Sequence, residues 1–156
     1  MKHFISRRNF LKAAGVTAAA SAMAAAVPQA SAGFLTGKDA AVTILYTNDV
    51  HTYIDNKSPK LTYAAIAAMK QGYVDEGKPV LLVDAGDHIQ GTAYGSMDDG
   101  ATIIELMNEA GYDIATLGNH EFDYGMARAK AIIKEADFPY VSCNWVDLRT
   151  GLRVLP

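Results

Sequence analysis

Pro79-Val80-Leu81-Leu82-Val83-Asp84-Ala85-Gly86-Asp87-His88-Ile89-Gln90-Gly91 is the stretch on which the fold turns. Its first half is a short apolar run that reads as a buried strand, with proline tolerated at the first position. Gly86 lets the backbone turn sharply off the strand. A carboxylate, an imidazole and a carboxamide then follow in a polar, glycine-rich loop over residues 85–97. The same grammar occurs twice more. Residues 41–46 are β-branched and apolar and lead into Asn48-Asp49-Val50-His51. Residues 113–117 lead into Gly118-Asn119-His120-Glu121-Phe122-Asp123.

Helical signals lie between these strands. Ser58-Pro59 reads as an N-cap with proline at the first helical position, and Leu61, Ala64, Ala65, Ala68 and Met69 recur at helical spacing until Gly77. Asp98 or Asp99 is placed to cap a second helix, with Ile103, Leu106, Met107 and Ala110 as its apolar face and Gly111 as its stop. Residues 125–136 form a third, with Met126, Ala129, Ile132 and Ile133 expected inward. Residues 139–143 read as a fourth strand that buries Cys143, and 147–156 as a turn at Thr150-Gly151 before the start of another strand. The order is β-α-β-α-β-α-β, an α/β fold with a mostly parallel sheet and right-handed crossovers. No linker or internal repeat divides it.

In open α/β sheets ligands bind beyond the carboxyl ends of the strands. Taken singly, Asp-x-His, Gly-Asp and Asn-His are ordinary turn sequences. Three such clusters at three consecutive strand ends are expected to converge on one site. Of the chain's four histidines, His51, His88 and His120 belong to them. Oxygen and nitrogen donors of this kind suit a divalent metal, which points to metal-assisted hydrolysis rather than a nucleophilic side chain. No Gly-x-Gly-x-x-Gly follows the first strand, so a dinucleotide fold is disfavoured.

Asn-Asp-x-His, Gly-Asp-x-x-Gln-Gly and Gly-Asn-His-Glu-Phe-Asp-x-Gly resemble the opening motifs of the calcineurin-like metallophosphoesterases. The Gln-Gly after Asp87 looks most like the exported bacterial 5'-nucleotidase branch. Matching segments run from about Val42 to Cys143. The resemblance implies the N-terminal half of a four-layer α/β/β/α sandwich. It implies that Asp49 and His51 hold one divalent ion, that Asp87 bridges two, and that Asn119 binds the second, the ions being Mn, Zn, Fe, Mg or Co. His120 would face the phosphate, oriented and kept protonated by Asp123, while a water activated between the metals attacks phosphorus in line. His88 falls at a variable position and is left out of the site; Glu121 and Phe122 are expected to shape the turn. The implied substrate is a nucleotide. Related two-metal chemistries (a 2',3'-cyclic phosphodiesterase, a sugar-nucleotide hydrolase, a sulfur-oxidation hydrolase) share these motifs.

The family completes its site with a late Gly-His-x-His motif, and no histidine follows His120 here. The sequence therefore reads as the N-terminal portion of a catalytic domain. It reads as a partial stretch of a longer enzyme, as the product of a split gene completed by a complementing C-terminal chain, or as a non-catalytic remnant. Little turnover is expected from this polypeptide by itself, and its sheet face should present an apolar patch.

Residues 1–32 read as an export signal: Ser6-Arg7-Arg8-Asn9-Phe10-Leu11-Lys12 is a twin-arginine pattern, an uncharged Ala-rich stretch follows, and Ala30-Ser31-Ala32 is a cleavage site. The mature domain is then 33–156, exported to the periplasm or beyond, with no cysteine at the cleavage site to carry a lipid and no stable membrane anchor. Removing Lys2, Arg7, Arg8 and Lys12, and no acid, takes the net charge from −3 to −7. A surface that acidic argues against binding a nucleic-acid polymer.

Overall fold

The computed structural model describes residues 41–53 and 62–155. The export signal and the Ser58-Pro59 start expected for the first helix lie outside them. The elements are β1 (Thr43–Thr47), α1 (Tyr63–Asp75), β2 (Val80–Asp84), α2 (Ala93–Ser96), α3 (Ala101–Ala110), β3 (Ile114–Thr116), a 3-10 turn (His120–Phe122), α4 (Met126–Glu135) and β4 (Tyr140–Val141). All four strands are parallel, in the order β1-β2-β3-β4. Leu45 pairs with Leu82, Thr47 with Asp84, Asp84 with Ala115, and Ala115 with Tyr140.

That register puts Leu82, Asp84, Ala115 and Tyr140 on one face, and all four are buried. They pack under Tyr63 and Ile66 of α1, Ile103, Ile104 and Met107 of α3, and Ile132 of α4. Each fully buried aliphatic side chain of this size contributes ~1.5–3 kcal/mol. On the other face Ile44 and Tyr46 are 60% and 74% exposed, and Leu81, Val83, Ile114 and Val141 are only partly covered. Among the described residues the helices thus cover a single face of a parallel sheet, where parallel sheets are ordinarily covered on both. This is the expected apolar patch.

Several boundaries differ from expectation for local reasons. The Thr62 hydroxyl caps α1 by accepting from the Ala65 N–H at 3.2 Å. The N-cap position of α3 is Gly100 at φ +83°, yet Asp98 still serves that helix, accepting from the N–H and hydroxyl of Thr102 at 3.0 and 2.6 Å. Gly111, at φ +83°, ends α3 as expected. The loop after β2 contains a four-residue helix, α2. Met126 is exposed in the first turn of α4, and only Ala129 and Ile132, one and two turns on, are fully buried. Cys143 is exposed rather than buried, because β4 stops at Val141. There the Ser142 side chain makes a local turn, bonding Asn144 Oδ1 at 3.0 Å and the Trp145 N–H at 3.2 Å. After the turn at residues 147–151 the tail makes one antiparallel bridge, Val146 to Arg153, instead of a strand.

One ion pair locks helix to sheet. Lys70 of α1 donates to the Asp113 carboxylate and, at 2.6 Å, to the Gly111 carbonyl. The same Asp113 oxygen accepts the Leu82 N–H at 2.8 Å. Removing one partner of a nearly buried pair strands the other charge. Asp113→Ala is expected to lower unfolding stability by ~3 kcal/mol in urea titrations. Glu76→Ala, which breaks the exposed Glu76–Lys78 pair, is expected to leave the midpoint essentially unchanged.

Candidate metal centre

The loops that leave β1 and β2 are sewn together by their backbones. Asp49 N–H donates to the Gly86 carbonyl at 3.1 Å and His51 N–H to the Asp87 carbonyl at 3.0 Å. Asp49, His51, Thr52 and Asp87 all have positive φ, between +46° and +59°. Non-glycine residues rarely adopt this backbone, and it gathers at functional sites where surrounding bonds over-determine it. Three of the four expected metal ligands are in it.

Glu121 supplies much of that over-determination. Its side chain is fully buried and accepts N–H groups from Asp87, His88 and Gly118 at 2.8, 2.8 and 2.6 Å, and from Ile89 at 3.3 Å. The β2 and β3 loops are thereby fixed to one carboxylate. They also approach so closely that a Cβ on Gly86 would overlap the Gly118 backbone, and one on Gly118 would overlap the Asp87 carboxylate. The His120 N–H completes the contact, donating to Asp87 Oδ1 at 2.9 Å.

Ligand atoms of His51, Asp87 and His120 all lie within 4.8 Å of one another, each residue partly buried. The two imidazoles meet edge to face, ring centroids 5.1 Å apart. His51 Nδ1 is 3.0 Å from the Gln90 carbonyl, which can only accept, so that nitrogen carries the proton and Nε2 keeps its lone pair for a cation. Asp49 Oδ1 is 3.6 Å from this Nε2. His120 Nδ1 is 2.6 Å from Asp123 Oδ2. That hydrogen bond raises the His120 pKa above its ordinary 6.5; desolvation, the next largest effect, opposes it, and the charges of Asp123, Asp87 and Glu121 add to the rise. Donor chemistry, spacing and strain together fit a divalent cation.

The expected residues therefore assemble unequally. His51 and Asp87 converge, and Asp49 joins through His51. His120, expected to face the phosphate rather than to bind metal, has a ring nitrogen within 4.8 Å of ligand atoms of His51 and Asp87 and is held by Asp123. Asn119 is exposed, between Gly118 and His120, and lines a neighbouring pocket of about 340 Å³ with Phe122, Ser142, Asn144 and Trp145. His88 is fully buried, away from the opening. Burial pulls its pKa down, but the bond to Asp84 and the nearby carboxylates outweigh this and the net shift is upward. For Glu121 the sequence suggests only turn-shaping, not this bracing role. Phe122 meets Trp145 edge to face at 5.4 Å, a contact that no periodicity announces.

Glu121→Gln would turn an amide donor toward peptide donors and leave too few acceptors for four N–H groups. The expected loss is ~3 kcal/mol of stability, read as a lowered melting temperature, together with at least a ~10-fold weakening of divalent-metal binding by calorimetry.

Residues 42–155 match the family model described as calcineurin-like phosphoesterase, and residues 5–27 match that of the twin-arginine translocation signal sequence. Among the described residues no helix is long and apolar enough to cross a membrane. The chain is 40% identical over 114 residues to a snake venom 5'-nucleotidase of Gloydius brevicauda, covering 66% of this chain and 19% of that protein. It is 37% identical over 115 residues to a 5'-nucleotidase of Homo sapiens, covering 66% and 20%. The structure resembles that of a 5'-nucleotidase precursor from Thermus thermophilus, with a TM-score of 0.61 and 32% identity over 66% of this chain and 22% of the other. The chain spans about a fifth of the length of the curated relatives it matches. Its parallel four-stranded sheet is the fold of these neighbours, and the chain belongs to the calcineurin-like phosphoesterase family.

Proposed function

We propose that this chain carries the metal-binding loops of a phosphoester hydrolase of the 5'-nucleotidase type. In this reading residues 1–32 direct twin-arginine export and residues 33–156 belong to the catalytic domain. Asp49 and His51 hold one divalent cation, Asp87 is shared between two, and Asn119 reaches the second. Two cations, when bound, polarise a phosphoester oxygen and acidify water at neutral pH. Nucleotides are the proposed substrate class, on the strength of relatives named 5'-nucleotidases.

The observation that carries the reading is the convergence of His51, Asp87 and His120 within 4.8 Å on strained backbone beyond the ends of parallel strands. The role of this chain's own residues follows from their bonds. Asp123 Oδ2 accepts a hydrogen bond from His120 Nδ1–H, which fixes the ring and favours its charged form. The other ring nitrogen is then free to donate toward a phosphoryl oxygen as charge builds there. His51, locked by Gln90, offers only its Nε2.

Chelator-treated chain is expected to bind Mn²⁺ and to release phosphate from AMP, however slowly, only when metal is restored. Phosphate release that ignores chelator, or absence of Mn²⁺ binding, would defeat the reading. His120→Asn is expected to slow release by ~10²-fold or more while weakening Mn²⁺ binding less than ~10-fold. A parallel collapse of affinity would make His120 a ligand.

The pH dependence has a defined sign. A histidine whose folded pKa is raised stabilises the fold fully below its ordinary 6.5 and loses that contribution as pH rises through the folded value. In metal-free chain the His120 ring protons should titrate above 6.5 by NMR, and Asp123→Asn should bring the midpoint down. An unmoved midpoint would remove Asp123 from its proposed role.

A further inference from the structure

We propose that Asp84 and His88 are positioning residues: a buried clamp that straddles Asp87 and sets the direction in which its carboxylate leaves the sheet. The proposal rests on Asp87 being a metal ligand, and neither clamp residue faces the opening. Asp84 is the last residue of β2 and is 4% exposed. Its Oδ1 accepts the Gly86 N–H at 2.8 Å and lies 2.7 Å from His88 Nδ1. These are the residues immediately before and after Asp87. One oxygen therefore ties the residues flanking Asp87, while Glu121 accepts the Asp87 N–H and the His120 N–H donates to the Asp87 carboxylate.

Both ends of the clamp are anchored to other strands. Asp84 Oδ2 accepts from the Thr47 hydroxyl at 2.6 Å, at the end of β1, and Thr47 is 2.9 Å from the Tyr112 hydroxyl. His88 Nε2 is 2.8 Å from the hydroxyl of Tyr140 on β4, itself buried. The chain Tyr112–Thr47–Asp84–His88–Tyr140 thus crosses under the sheet from β1 to β4 and brackets Asp87 on either side.

Stability alone is a poor reason for such an arrangement. A buried polar network can often be replaced by apolar side chains of equal volume without loss of stability. Here two of its bonds, from Asp84 Oδ1 to the Gly86 N–H and to His88 Nδ1, span the one turn whose middle residue has φ +59°. Partners that orient a ligand without touching the cation typically set ~10- to 100-fold of its affinity. His88 has no other part in the proposed chemistry, so a metal effect of its substitution would pass through the loop geometry, by way of Asp87 or of Glu121, whose Oε1 lies 3.6 Å from His88 Nδ1.

The test is Mn²⁺ binding to the full chain, followed by the loss of the free-ion EPR signal. His88→Ala and Asp84→Ala are expected to weaken binding ~10- to 100-fold. Tyr140→Phe, which removes only the distant hydroxyl, should weaken it ~3-fold. Ile132→Ala, in the apolar core, is the control: it should lower the melting temperature and leave Mn²⁺ affinity within ~2-fold. Wild-type affinity in His88→Ala overturns the clamp and leaves the metal centre standing. Equal losses in Ile132→Ala and His88→Ala reduce His88 to ordinary core and likewise overturn it. Absence of binding by the wild-type chain overturns both this proposal and the reading beneath it. If His88→Ala does not fold, Tyr140→Phe decides by the same comparison.

Discussion

One carboxylate that points into the protein holds the opening together. Glu121 accepts peptide N–H groups from residues 87, 88, 89 and 118, and so binds loops from two strands to a single pair of oxygens. A carboxylate has about four lone-pair sites, so four donors leave it saturated. Strain and close approach both depend on this. Asp87 can persist in a left-handed conformation because its neighbours are fixed, and Gly86 and Gly118 can face each other because the loops are held there. The acid that does this lies between His120, which neighbours His51 and Asp87, and Phe122, which meets Trp145.

The site thereby divides into two kinds of residue. Those with partly exposed side chains, His51, Asp87 and His120, present donors to a shared volume. Those fully or nearly fully buried, Asp84, His88 and Glu121, face away from it: Asp84 and Glu121 accept peptide N–H groups of the loop after β2, and His88 bonds Asp84 and Tyr140. Ionisable groups are seldom buried unless paired, and these are paired with one another, with Tyr140 and with peptide groups. The sheet provides the frame: parallel strands with matched ends bring three loops from well-separated positions in the chain to one edge.

Much of this is legible in the sequence because strand ends announce themselves. Apolar runs stopping at glycine and then a carboxylate or carboxamide mark β2 and β3 and the loops that follow them, and Gly111 ends α3 where expected. Hydrophobic periodicity identifies the buried faces of α3 and α4 in the middle of each helix, and fails at Met126 in a first turn. What stays hidden depends on bonds between distant side chains and backbone. Glu121 reaches peptide groups more than 30 residues away, which leaves no periodic trace. Cys143 looks buried because Tyr140 and Val141 are strand-like, but the Ser142 turn ends the strand first. His120 can be paired with Asp123 from their spacing of three, whereas its nearness to His51 is purely tertiary.

The left-handed backbone at Asp49, His51 and Asp87 has a consequence for how this opening can be dissected. Alanine and β-branched residues resist that conformation, while asparagine tolerates it. Scanning these positions with alanine would remove a donor and deform the loop at once, and the two losses could not be told apart. Amide replacement of the two acids keeps the turn while removing the charge and one acceptor oxygen, so it is the substitution whose result reports on chemistry.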